Sequence, residues 1–147
     1  MHPRDIATLP TLVFGVPGDF REWIVNEILS GRKTATTNLE VAFHMNRAAI
    51  PRVGEERALV DSTDRRVAVL RYVEVARTSI AMIEERLALH EATSIEHWRD
   101  IHRDYWLSLV PAIRGHLGDD GWQLDEIEPA ICTVFEVVEM IASPVVP

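Results

Sequence analysis

Lysine is almost missing from this chain of 147 residues. Of its 15 basic side chains 14 are arginine, and Lys33 is the sole lysine. A guanidinium stays charged at any working pH, so the exception falls where an amine able to release a proton would be useful. Cysteine is nearly missing too. Cys132 stands alone, which excludes an internal disulfide and fits a reducing compartment. No apolar run approaches the roughly 18 residues of a membrane span. The charged, proline-bearing stretch Met1–Pro10 lacks the apolar core of a secretory leader. Together these absences predict a cytoplasmic protein without membrane contact.

Positive charge is short as well. With 23 acids the formal net charge is -8, which argues against indiscriminate binding of long nucleic acids. The deficit is uneven. From Gly31 to Arg52, four bases face one acid, a balance of +3; from Glu84 to Glu128, eleven acids face four bases, a balance of -7. A local basic mouth on an acidic body suits a small anionic ligand or a short single strand.

What is present reads as one domain over residues 1–147, with neither repeats nor low-complexity tracts. Asp19 and Glu22 form a helix-start signal. Phe20, Trp23, Ile24, Ile28 and Leu29 then recur at helical spacing, and Gly31 takes the place of a C-terminal glycine. Lys33 to Thr37 alternates like an emerging strand, and Asn38 to Ile50 is loop or strand. Pro51 to Gly54 is a turn. Glu56 to Ser62 and Arg66 to Arg77 make a hairpin about Thr63-Asp64. Ser79 to His90 carries helix formers. Ser94 caps a second helix with Trp98, His102, Tyr105 and Trp106 on its apolar side, which Pro111 closes. Gly115 to Gly121 reads as a glycine-rich loop, a lid or a surface loop, and Ile131 to Ile141 as a long strand. The order predicts an α+β fold whose last strand closes a small sheet or barrel.

These blocks support a resemblance. Gly31-Arg32-Lys33-Thr34-Ala35-Thr36 after a helix, Pro51-Arg52-Val53-Gly54-Glu55, the Asp61-centred hairpin, Trp98-Arg99-Asp100-Ile101-His102 and the closing Cys132 to Val138 resemble the ASCH domain family, from about Phe14 to Glu139. The resemblance implies a small PUA-like β-barrel with flanking helices, a cleft beside the lysine loop, and an RNA or modified-nucleoside ligand. Some family members resemble amidohydrolases that deacetylate N4-acetylcytidine with Lys, Thr and Glu; others are described as metal-dependent ribonucleases. Carried over, the lysine falls on Lys33, the threonine on Thr36 and the glutamate on Glu91. In the amidohydrolase branch an arginine closely follows the lysine block, whereas here Thr37, Asn38 and Leu39 follow.

Four readings result, one of them a small-molecule sensor domain in which the cleft only regulates. In the first, Thr36 is the nucleophile of an amide hydrolysis, neutral Lys33 its base and Glu91 the orienting group. A free lysine, with a pKa of about 10.4, must then be depressed by burial. Residues three apart on a regular strand face opposite ways, so Lys33 and Thr36 converge only if the chain bends near Thr34. In the second, a non-catalytic module binds single-stranded RNA, with Arg32, Lys33 and Arg52 on phosphate and Trp98 or Tyr105 stacking a base. In the third, a ribonuclease uses His102 or Lys33 as acid or base, with a divalent metal as its only cofactor. His97 and His102 are five apart, which puts them on different parts of a helix rather than one face, and no built-in zinc site is expected.

Overall fold

The computed structural model describes residues 5–141. It is an α+β fold built on one five-stranded sheet. The strands are β1 (Thr11–Leu12), β2 (Ala35–Leu39), β3 (Glu56–Val60), β4 (Arg66–Thr78) and β5 (Ala130–Met140). Their order is β1-β3-β4-β5-β2, with β1 parallel to β3 and every other pair antiparallel. The helices are α1 (Asp19–Leu29), α2 (Glu40–Met45), α3 (Glu85–Ala88), α4 (Ile95–Ser108) and α5 (Val110–Leu117). None is long and apolar enough to cross a membrane.

The long β4–β5 ladder carries the architecture. Side chains alternate along a strand, so Ala130, Cys132 and Val134 of β5 face one way and Phe135 and Val137 the other. The first set packs with Ala35, Leu39, Leu87, Trp98, Trp106 and Ile113 in a core under α2 to α5. The second packs with Ile24, Val25 and Ile28 of α1 and with Leu59, Leu70 and Tyr72. A register shift between Tyr72 and Glu74 lets β4 serve both cores, because an extra residue moves the alternation to the opposite face.

Five expectations need correction. The buried stripe of α1 is Arg21, Ile24, Val25 and Ile28, while Phe20 and Trp23 are exposed and stack on each other with ring centroids 6.4 Å apart. Arg21 wins the inward position because its guanidinium donates to the carbonyls of Phe14, Gly15 and Asp61. The ambiguous segment after Leu39 turns into α2. The expected helix over Ser79 to His90 shrinks to the four residues of α3, since 79–84 is a turn in which the Met82 amide donates to Ser79 Oγ at 3.1 Å. Pro111 does not close α4 so much as open α5, where a first-turn proline lacks only an N–H that would go unbonded anyway. Gly115 lies inside α5, and Gly118, at φ 64°, caps it.

Candidate functional site

The lysine loop is fixed at both ends. Gly31 leaves α1 at φ 81°, a left-handed value that favours glycine. The amide of Lys33 donates to the Glu27 carbonyl at 3.0 Å. The amide of Thr34 donates to the His90 carbonyl at 3.0 Å, and its hydroxyl meets His90 Nδ1 at 2.6 Å. This ties the loop to the chain leaving α3, where Glu91 follows at once.

Four donors from four positions converge on the Glu91 carboxylate. Lys33 Nζ lies 3.1 Å from Oε1, and His102 Nε2 lies 3.5 Å from the same oxygen. Thr37 Oγ1 donates to Oε2 at 2.6 Å, and Trp98 Nε1 donates to it at 2.9 Å. Lys33 Nζ also donates to the Ala35 carbonyl at 2.6 Å. The side chains of Glu91, His102 and Lys33 are 5%, 10% and 17% exposed, so Lys33 is the most accessible of the three.

Burial alone would raise the pKa of Glu91. The His102 ring, the Lys33 charge and the Thr37 hydroxyl outweigh it and hold the carboxyl down at about 2. Glu91 is thus an anion at every ordinary pH. His102 Nδ1 lies 2.7 Å from the Trp98 carbonyl while Nε2 faces Glu91. Both ring nitrogens thus face oxygen atoms. The ring also stacks on Trp98, with centroids 4.1 Å apart. Cys132 lies directly across the ladder from Thr37. Burial pushes its thiol up to about 11 despite the Thr37 hydroxyl beside it, so it is inert as an acid.

Of the residues singled out from sequence, Lys33, Glu91, His102 and Trp98 meet here, but in altered parts. Trp98 is fully buried and spends its N–H on Glu91, so it cannot stack a base from solvent. Thr36 does not join the cluster. On β2 it faces away from Thr37, and besides its ladder pairing with Thr133 its carbonyl accepts from Thr133 Oγ1 at 3.1 Å. The chain does not bend enough near Thr34 to offset strand alternation. Thr37 takes the place expected of Thr36, and a signal for it was present: Ala35, Thr37 and Leu39 share the apolar face of β2. Arg32 is committed to Glu27 at 3.0 Å on the surface. Among the described residues no hydrogen bond or ion pair joins Arg52 or Tyr105 to the cluster. Nor do any three His, Cys, Asp or Glu side chains group as metal ligands would.

A pocket of about 270 Å³ opens beside the loop. Ile28, Leu29, Phe135 and Val137 give it apolar walls, and Ser30, Gly31, Lys33, Thr34 and Glu136 complete it. Lys33 therefore lines the pocket while its ammonium turns to Glu91, so one side chain links an open cavity to a sealed ionic cluster.

The sequence profile of the ASCH domain matches residues 11–139. No curated protein matches the chain in sequence. Two solved structures share its fold. Protein EF3133 from Enterococcus faecalis V583 is 22% identical with a TM-score of 0.71, over 89% of this chain and 77% of that one. An ASCH domain from Lactobacillus crispatus JV V101 is 19% identical with a TM-score of 0.71, over 88% and 79% of the two chains. At these identities the likeness speaks for the fold alone.

Proposed function

Because the chain belongs to the ASCH domain family, we propose that it binds RNA or a modified nucleoside at the Lys33 pocket and hydrolyses an acyl or amide bond on the base. The observation that carries this reading is that one buried carboxylate holds both an amine and a hydroxyl, Lys33 at 3.1 Å and Thr37 at 2.6 Å. The two bulges of the β4–β5 ladder supply the curvature that a PUA-like barrel would use.

The chemistry follows from what sets the basicity of Glu91. With all its donors in place the carboxylate is a poor base, at a pKa of about 2. When the Lys33 ammonium swings to a substrate carbonyl oxygen, one of the influences that lowered this pKa, second to the His102 hydrogen bond, leaves, while the burial that raises it remains. Glu91 then accepts the Thr37 proton as the threonine oxygen adds to the acyl carbon, and Lys33 stabilises the oxyanion. Collapse expels the base nitrogen, which takes the proton back from Glu91. Water then hydrolyses the threonine ester and releases the acid.

A second reading has its own observation. Thr37 is only 3% exposed, so in the closed state a ligand meets Lys33 alone, which fits a module that binds without reacting. Acetate release from N4-acetylcytidine decides between them. Hydrolysis by the wild type, lost at least about a hundredfold in Lys33→Ala and Thr37→Val and kept in Thr36→Val, is the expected result. No turnover by the wild type, or full turnover by Lys33→Ala, overturns the hydrolase. Salt-dependent binding of a short single-stranded RNA without turnover then supports the module, and RNA cleavage abolished by EDTA supports a ribonuclease.

A further inference from the structure

The pocket has a backbone wall as well as side chains. The β2–β5 ladder ends at Ala35 opposite Val134, and the last bond on that side runs from the Phe135 amide to the Thr34 carbonyl at 2.9 Å. Beyond it β5 continues to Met140 and, among the described residues, no strand of the sheet lies on that side. Which residues present their backbone there follows from the neighbouring ladders. Tyr72 turns its N–H and C=O toward the β3 side, bonding Glu55 and Gly54. In an antiparallel pair, backbone groups alternate sides along the strand. Arg71 therefore faces β5 and its partner Glu136, and Phe135 and Val137 turn the other way, to the open edge. Val137 is the first residue past the end of β2 whose N–H and C=O both point there, and it lines the pocket.

An antiparallel partner residue would occupy that place by exchanging two bonds with Val137: one N–H accepted, one donated. A planar heterocycle with adjacent donor and acceptor atoms offers the same pair. The 270 Å³ of the pocket is small, about the lower limit for ligand cavities, and holds one ring system rather than a whole nucleotide. Ile28 and Leu29 of α1 and Phe135 supply apolar contact for its face. We propose that this pocket binds a pyrimidine or similar cyclic amide edge-on, with the Val137 N–H and C=O bonding its paired acceptor and donor.

The proposal rests on the nucleobase reading above and adds which edge of the base is read and by what. It places the ring beside Lys33, and it predicts that pairing-edge chemistry, not sugar or phosphate, governs affinity. Backbone recognition also leaves no side-chain signature, which is why neither composition nor motif points to it.

The test is a nucleoside titration followed by backbone amide NMR. Uridine and cytidine are expected to move the Val137 amide resonance. 3-Methyluridine, whose methyl group removes the donor at that edge, is expected to bind at least about tenfold more weakly and to leave the resonance in place. Leu29→Trp, which fills the pocket without touching the sheet, is expected to abolish the shift while thermal unfolding stays cooperative. Equal binding of uridine and 3-methyluridine, or shifts clustered away from 135–137, overturns the proposal. So does movement of the Val137 amide by an extended peptide but not by nucleosides, which marks strand addition instead. Binding that obeys the pattern without hydrolysis defeats only the reaction proposed above. Hydrolysis without a Val137 shift defeats only this inference.

Discussion

Two acid–base groupings in this molecule have the same chemistry and opposite settings. Arg86 reaches both oxygens of Glu74, at 2.8 and 2.7 Å, and also Glu84 at 3.0 Å, all on the surface. Lys33 meets Glu91 at a longer 3.1 Å, but in a buried shell that adds a threonine, a tryptophan and a histidine. Contact distance alone would rank the arginine pair first. Environment reverses the ranking. Water competes for the exposed pair and salt screens it. The Glu91 charge cannot return to water without opening the core, so each of its donors is obligatory. The acidic half of the chain thus disperses its charge into solvent, and the single lysine marks where charge is confined.

The sharpest way to break this contrast is Glu91→Gln. It leaves Lys33 without its counter-charge and is expected to cost about 3–5 kcal/mol in chemical denaturation, with loss of any Lys33-dependent activity. The wild type should show the same dependence as a function of pH. The folded pKa of Glu91 lies below its ordinary 4.5. Its contribution is therefore fully present above about 4.5 and fades as pH falls toward 2. Glu91→Gln should flatten that acid limb, and an unchanged limb would mean that other carboxylates govern acid unfolding.

Next in size, Thr37→Val removes one of the two donors to Oε2 and should cost about 1–2 kcal/mol. Thr36→Val, on the opposite face of the same strand, should stay within about 0.5 kcal/mol. Equal losses would show that the division of labour between the two threonines is misplaced. The smallest effect is expected for Arg86→Ala: no measurable change in the denaturation midpoint, despite three short contacts. A clear loss there would erase the distinction between the two groupings.

Much of this arrangement could be read before any coordinates. The hairpin about Asp61 is legible because alternation and turn chemistry agree. Asp61 accepts from the Thr63 amide, the Thr63 hydroxyl and the Arg65 amide, as a turn aspartate should. Ser94 caps α4 through the His97 amide for the same local reason. The meeting of Lys33 with Glu91 came from the family resemblance, since nothing local links residues 58 apart in sequence. The misreadings had tertiary causes. Arg21 displaced Phe20 and Trp23 from the inner stripe because three carbonyls awaited a donor there. Thr36 was favoured over Thr37 because a motif spacing was followed where strand alternation should have ruled.

The dependence of β2 on β5 has a consequence for how the protein is made. Thr133 and Thr36, partners across that ladder, stand 97 residues apart in the chain. A nascent polypeptide emerging from the ribosome therefore presents its lysine segment long before the strand that seats it exists. Until the final stretch is synthesised, the lysine corner is an unpaired edge, and a product truncated before residue 130 would be prone to self-association.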